Sequence, residues 1–213
     1  MISLKIRDPF SSLSHGLGAA LSIIALVVMM QNIPSTDTSI YIISYLSFGI
    51  SAFFMFSASA IYHFPLGPAR LVQNLKRVDH IAIYIMIAGS YTPFLLLGLE
   101  ASQAVNLMIA IWAIAFAGTL KKIFWIGAPR WLSTLLYLAM GWISVLIYED
   151  LQKNVSQDAL FWLMNGGIIY SLGAIIYGFK RPNLHKLFGF HELWHLFVLG
   201  GAACHAVSIG VYL

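Results

Sequence analysis

The segment LKRVDHIAIYIMIAGSYTPF, residues 75–94, joins a basic stretch to a long apolar one. Lys76, Arg77 and Asp79 supply its charges, and no further charged residue follows before Glu100. A helix needs about 20 apolar residues to cross the hydrocarbon core of a membrane. The uncharged run after Asp79 has that length, and basic residues gather at one surface of a membrane. The segment therefore predicts a transmembrane helix that begins beside a basic loop.

The composition of the whole chain points in the same direction. Of its 213 residues, 60% are hydrophobic and only 9% are charged, whereas soluble proteins carry roughly 25% charged residues. So few charges cannot cover the surface of a water-soluble domain, which excludes that class. The net charge of +4 does not indicate a nucleic-acid partner, because the placement of Lys and Arg in a membrane protein reports orientation.

Seven uncharged stretches of this length occur along the chain, and the connections between them are short. Prolines, which break helices, lie in most of these connections. We therefore predict an all-α membrane protein, a single-domain seven-transmembrane helix bundle over residues 1–213. The predicted spans are 10–33, 40–64, 80–99, 101–120, 131–148, 159–179 and 191–213.

The basic residues lie in alternate connections, and Lys153 is the single exception among the 12 in the chain. Cytoplasmic loops of membrane proteins are enriched in Lys and Arg. The pattern therefore predicts an N-terminus in the cytoplasm and a C-terminus outside. The basic residues assigned to the cytoplasmic side are Lys5, Arg7, Arg70, Lys76, Arg77, Lys121, Lys122, Arg130, Lys180, Arg181 and Lys186.

Polar residues converge on the predicted cytoplasmic ends of three spans. The second span ends with Ser59 and His63, which are four residues apart and share one helical face. The third span begins beside Asp79, and the seventh opens with HELWH, which contains His191 and His195. Ionisable groups inside a membrane are costly and usually functional. We therefore expect these side chains to form one site.

Three of these side chains, His63, His191 and His195, are suited to hold a metal ion. Imidazole is a good zinc ligand, and three histidines leave a fourth tetrahedral position open for water, as in catalytic zinc sites. Zinc lowers the pKa of such a water to about 7. Asp79 is then the candidate general base, and Ser59 is the candidate supporting residue for the shell or for a substrate oxygen.

The stretch HELWH also matches H-E-x-x-H, in which two histidines bind zinc and the glutamate activates water. Zinc proteases of the extended type need Gly and His downstream, where this chain has Val198 and Gly201. No acidic residue follows Glu192, so the third ligand must come from upstream, and His63 is the best candidate. A retinal protein is disfavoured because the seventh span has no lysine. Residues whose roles stay open at this stage are His15, Glu192 and His205.

Four stretches together resemble the progestin and adipoQ receptor superfamily, specifically its bacterial hemolysin III-related branch. They are SHGLGAALS in the first span, SASAIYH ending the second, LKRVDHIAIYIMIAGSYTPF through the third and HELWH opening the seventh. In this family three histidines bind zinc, with an Asp and a Ser beside a bound water. The resemblance implies these roles for His63, His191, His195, Asp79 and Ser59. The family's first motif is matched at Asp8 and His15, but Ser11 replaces its Asn.

The resemblance implies either receptor behaviour or metal-dependent hydrolysis of lipid amides. We predict a zinc-dependent, ceramidase-like hydrolase of lipid amide or ester bonds in the bacterial inner (cytoplasmic) membrane. It would act on membrane lipids and affect their homeostasis. One alternative is a non-enzymatic sensor of membrane energetics or fluidity, with structural zinc. A hemolysin-type channel is less favoured, because no string of polar residues crosses the predicted bundle.

Overall fold

The structure is a computed structural model that describes residues 6–65, 67–185 and 188–213. Helices make up nearly all of it. Lys5 and Lys186 of the predicted basic loops lie outside the described residues. Seven helical segments are long and apolar enough to cross a membrane, and the described ranges contain no β-strand. The predicted all-α bundle with seven spans is confirmed. The α-helices are α1 Pro9–Gln31, α2 Thr38–His63, α3 Ala69–Gly98, α4 Ala101–Phe124, α5 Arg130–Gly141, α6 Tyr148–Asn154, α7 Gln157–Phe179 and α8 Phe190–Val207.

Most helices begin and end close to the predicted spans, but α3 begins at Ala69 rather than at position 80. The prediction located the charge-free part of the helix, whereas backbone hydrogen bonding continues through the charged turns that contain Lys76 and Arg77. Asp79 and His80 therefore lie well inside α3. The positive end of a helix dipole acts only within the first turn, so it does not account for a carboxylate at Asp79.

The fifth span is continuous along the chain but changes its helical geometry. A 3-10 segment, Trp142–Ile147, separates α5 from α6. The Tyr91 hydroxyl of α3 lies 2.6 Å from the carbonyl oxygen of Gly141 and accepts a hydrogen bond from the Ser144 backbone nitrogen at 2.8 Å. Backbone groups that lose their helical hydrogen bonds at such a transition need other hydrogen-bond partners inside a membrane. Tyr91 provides them at this break.

Helix α3 occupies the centre of the bundle, and 67% of its apolar stretch is buried. It packs mainly against α2 and α4, and it also contacts α5 and α6. Helix α1 packs on α2 and α8, and α7 packs on α8. Because successive spans alternate in direction, the end of α2 and the beginnings of α3 and α8 lie at one end of the bundle. We call this the basic end, since Arg7, Arg70, Lys76, Arg77, Lys121, Lys122, Arg130, Lys180 and Arg181 lie in or beside its connections.

The outer surface is apolar and the closest helix contact depends on a glycine. Large side chains such as Leu13, Phe116 and Leu146 are mostly exposed, as expected for a surface that faces lipid. Between α2 and α3, a Cβ atom added at Gly89 would overlap the Ser51 side chain and approach the Ser47 carbonyl oxygen to 2.8 Å. Small residues allow this kind of close approach between membrane helices.

We expect Gly89→Ala to destabilise the bundle by about 1–3 kcal/mol, because the added methyl group forces α2 and α3 apart. Thermal unfolding in detergent measures the effect. Gly178→Ala is the matched control, since no atom lies within 4 Å of the added Cβ there. Equal melting temperatures for the two variants would show that close α2–α3 packing is not required.

Candidate metal centre

Three histidine rings meet at the basic end of the bundle. His63 ends α2, whereas His191 and His195 occupy one face of the first turns of α8. The ring centroid of His63 lies 5.0 Å from that of His191 and 4.9 Å from that of His195, and the two α8 rings are 4.8 Å apart. His63 and His195 are buried, and His191 is half-buried. The structure therefore brings together the three predicted metal ligands.

The arrangement fits a metal ion bound by three imidazoles. One ligand atom from each ring lies within 4.8 Å of the others. The Nε2 atoms of His63 and His191 are 3.4 Å apart, and two nitrogens bound to tetrahedral zinc are about 3.3 Å apart. Nδ1 of His195 is buried and has no hydrogen-bond partner among the described residues. Three histidines could thus hold a metal ion and leave a coordination position open.

Asp8, immediately before α1, orients one of these ligands. Nδ1 of His63 lies 2.8 Å from Asp8 Oδ2. Burial opposes ionisation of Asp8, but the hydrogen bonds from His63 and Arg7 outweigh it and hold the pKa of the carboxyl below its ordinary value. An ionised carboxylate only accepts hydrogen bonds, so His63 donates from Nδ1. Its Nε2 lone pair is then available to a metal, as in many carboxylate–histidine–metal arrangements.

The other two residues of the first-span motif also lie beside the cluster. His15 is buried and stacks on His195, with ring centroids 3.8 Å apart. It is not one of the three residues in the metal-binding geometry, so its visible role is to hold the His195 ring in place. Ser11 is buried and donates a 3.4 Å hydrogen bond to Glu192. The segment that precedes and opens α1 thus packs on the ligands from α2 and α8.

Glu192 stabilises the start of α8 instead of facing a catalytic water. Its Oε2 accepts a 2.8 Å hydrogen bond from the backbone nitrogen of Gly189, the residue before the helix. Its Oε1 accepts the bond from Ser11. This contact across the first turn is the glutamate half of a capping box. Both carboxylate oxygens are thereby engaged, which leaves the H-E-x-x-H match without its glutamate base.

Asp79 and Ser59 lie on the wall of a cavity that the histidine cluster also lines. The cavity has a volume of about 260 Å³ and extends into the bundle between α3, α5, α7 and α8. The Asp79 side chain is 14% exposed and lies 3.7 Å from Nδ1 of His80. The Ser59 side chain lies beside the Asp79 carboxylate, one turn before His63. All five predicted site residues therefore face one space. His205 lines its deeper part, against Tyr170 of α7.

Comparison with known proteins shows the family of this chain. The family model described as Haemolysin-III related matches residues 4–206. The chain belongs to the haemolysin III family. It is 36% identical over 203 residues to a hemolysin-3 homolog of Bacillus subtilis, covering 95% of this chain and 92% of that one. It is also 36% identical over 193 residues to hemolysin-3 of Bacillus cereus, covering 91% and 85%.

The similarity extends to animal proteins. The human monocyte to macrophage differentiation factor is 29% identical over 170 residues, covering 78% of this chain and 68% of the human one. The predicted relationship to the progestin and adipoQ receptor superfamily and its hemolysin III branch is confirmed. The seven helices and the relatives together support a multi-pass membrane protein of this family.

Two functional features of this haemolysin III family member escaped the sequence interpretation. The first is the orienting role of Asp8, which matched a family motif but had no assigned partner until α1 and α2 were seen packed together. The second is the burial of Lys122, which the charge pattern assigned only to a basic loop. No local signal separates a buried lysine from an exposed one at a helix end, because the difference depends on which helix covers it.

We expect Asp8→Ala to weaken metal binding by roughly 10- to 100-fold, since the His63 ring loses the acceptor that fixes its orientation. Competition with a chromophoric chelator measures the affinity. Asp158→Ala, in the first turn of α7 at the opposite end of the bundle, is the control and should bind metal normally. An unchanged affinity in the Asp8 variant would contradict the proposed orienting role.

We expect Glu192→Ala to lower the free energy of unfolding by about 1 kcal/mol, because Gly189 loses its capping partner. Metal analysis should show an unaltered metal content. Glu100→Ala is the matched control, because Glu100 stands at the N-cap of α4 without a capping hydrogen bond. Loss of metal without loss of stability would instead identify Glu192 as part of the metal centre.

Proposed function

We propose that the protein is a zinc-dependent hydrolase that cleaves an amide or ester bond of a membrane lipid. One observation supports this most directly. The three candidate ligands, a carboxylate and a serine hydroxyl line the same cavity inside a membrane bundle. A purely structural metal site is closed by its protein ligands, whereas here an open position would face a space that can hold a substrate.

The chain's own residues account for the binding steps. The cavity wall beyond the polar cluster is mainly apolar and includes Ile83, Ile87 and Phe94 of α3 and Leu163 of α7. Burial of an acyl chain against such side chains is favourable by roughly 0.8 kcal/mol per methylene. The same wall excludes water from the reacting bond. The apolar part therefore positions the scissile group next to the histidine cluster.

The polar residues account for proton transfer. Zinc, when bound by three imidazoles, supplies Lewis-acid polarisation of a carbonyl and activation of water. The Asp79 carboxylate accepts the proton of the attacking water and returns it to the leaving amine or alcohol. Ser59 donates a hydrogen bond that orients that carboxylate. Asp8 keeps the His63 ring in the tautomer that presents Nε2.

The cellular setting is proposed on the same grounds. The basic end of the bundle corresponds to the cytoplasmic side by the distribution of Lys and Arg. The metal centre would then lie just below the cytoplasmic surface of the bacterial inner membrane. Products of lipid cleavage there would alter membrane lipid composition, which links the proposed activity to lipid homeostasis.

A second candidate function rests on the helix contacts. His63 and His191, 128 residues apart in sequence, would join α2 to α8 through one ion. A metal that only clamps these helices would suit a non-enzymatic sensor of the membrane. In that case the metal ligands would be needed for stability, whereas Asp79 would not be needed for function.

We expect Asp79→Asn to lower the rate of hydrolysis by roughly 100- to 10,000-fold, because the general base is lost, while the metal content stays unchanged. A ceramide with a fluorescent acyl chain, together with its ester analogue, serves as substrate for the zinc-loaded protein. Asp150→Asn, which lies among residues at the other end of the bundle and pairs with Lys153, is the control. Zinc-loaded protein that cleaves neither lipid would favour the sensor, whereas a fully active Asp79 variant would show that Asp79 is not the general base.

A further inference from the structure

Lys122 is a buried cation that the proposed reaction does not use. Its side chain is 2% exposed, near the end of α4. Its ammonium group donates a 2.7 Å hydrogen bond to the Ser133 hydroxyl of α5 and lies 5.9 Å from the Tyr137 ring centroid. Within the described residues, no carboxylate oxygen lies within 4.0 Å of its nitrogen. One hydroxyl leaves two of the three ammonium donors without a strong acceptor.

The position of Lys122 is unusual for a basic residue at a helix end. Long basic side chains near the end of a membrane helix normally extend toward the headgroups and water. Lys122 instead contributes to the wall of the cavity, whereas its neighbour Lys121 does not and lies 5.8 Å from the Trp125 ring. A lysine that only sets the orientation of the protein in the membrane needs a positive charge but does not need to be buried. The inward direction of Lys122 therefore needs a separate explanation.

Other cations lie around the same entrance to the cavity. Lys76 of α3 and Arg130 of α5 line it together with Lys122, and Asp79 is the only acidic residue that does so among the described lining residues. Three cations against one carboxylate leave a formal excess of two positive charges. Arg130 also lies over the ring of Tyr177, 5.8 Å from its centroid, on the side of α7. The three cations thus reach the cavity from three helices, α3, α4 and α5.

The chemistry of this entrance matches a phosphate group. Separate cations on three helices suit an anion with several oxygens, and both Lys and Arg are common phosphate ligands. The Ser133 hydroxyl lines the same region and can donate a further hydrogen bond, whereas the Thr134 hydroxyl already donates to the Arg130 carbonyl oxygen at 3.1 Å. The apolar wall that continues from the entrance is suited to an acyl chain.

We propose that the entrance formed by Lys76, Lys122 and Arg130 is a binding site for the phosphate of an anionic lipid whose acyl chain lies in the cavity. This goes beyond the proposed function, because it concerns a phosphate group that ceramide lacks and holds whether or not the bound lipid is cleaved. Binding itself requires neither metal nor turnover. The two proposals can therefore fail separately.

Binding to metal-stripped protein in a neutral detergent tests the site. The probes are oleoyl lysophosphatidic acid, oleoylglycerol, which has the same chain without the phosphate, and inorganic phosphate. We expect the wild-type protein to prefer the phosphate-bearing lipid by at least about tenfold, the effect of one strong charge-assisted contact. Inorganic phosphate at the same concentration should not displace it, because it lacks the acyl chain.

Variants test whether Lys122 causes the preference for the phosphate-bearing lipid. Lys122→Gln should abolish the preference for the phosphate, and Lys122→Arg should retain it. Lys121→Gln is the matched control, since it removes the same charge from the adjacent position outside the cavity wall. Thermal unfolding checks that each variant is folded. If Lys122→Gln does not fold, Arg130→Gln at the rim of the cavity provides the same comparison.

Three results would overturn the proposal. Equal binding of the two lipids by the wild-type protein would show that the phosphate is not recognised. Equal losses in Lys121→Gln and Lys122→Gln would reduce the effect to the general positive charge at this end of the bundle. Displacement of the lipid by equimolar inorganic phosphate would identify a site for the free anion. Turnover of ceramide, or its absence, bears on none of these outcomes.

Discussion

Contact among three imidazole rings inside an apolar bundle is the interaction on which the rest of the structure depends. Ring nitrogens without partners are costly at this depth, and among the described residues Nδ1 of His63 has a partner, whereas Nδ1 of His195 has none. Asp8 accepts from His63, His15 covers His195, and Glu192 fixes the turn from which two of the rings project. The ends of α1, α2 and α8 are thus held in register by polar contacts rather than by apolar packing alone.

Two kinds of polar side chain and one apolar wall line the same cavity. Three histidines and Asp79 line it together with three cations, of which Lys122 is buried, Lys76 is half-buried and Arg130 is exposed. Between them the space continues inward past α3 side chains toward His205. The proposed lipid would place its polar head beside these groups and its chain along the apolar wall. The geometry thus favours amphiphiles over small soluble molecules.

Much of this architecture could be predicted from sequence because membranes impose simple rules. Charge-free length identified all seven spans, and the alternation of helix direction placed His63, His191 and His195 at one end, where the structure has them. Helix α3 begins at Ala69, several turns before the predicted span, because hydrophobicity marks the bilayer and not the helix. The 3-10 break beside Tyr91 and the burial of Lys122 depend on contacts between spans, which no local pattern specifies.

The long separation between the two halves of the histidine cluster has a consequence for biosynthesis. His63 emerges from the ribosome 128 residues before His191, and four further membrane crossings are made in between. Until α8 has entered the bilayer, the α2 ring has only Asp8 as a partner. A metal ion that needs all three histidines would therefore be acquired late in maturation, and its binding would distinguish a completely inserted chain from one that stalled on the way.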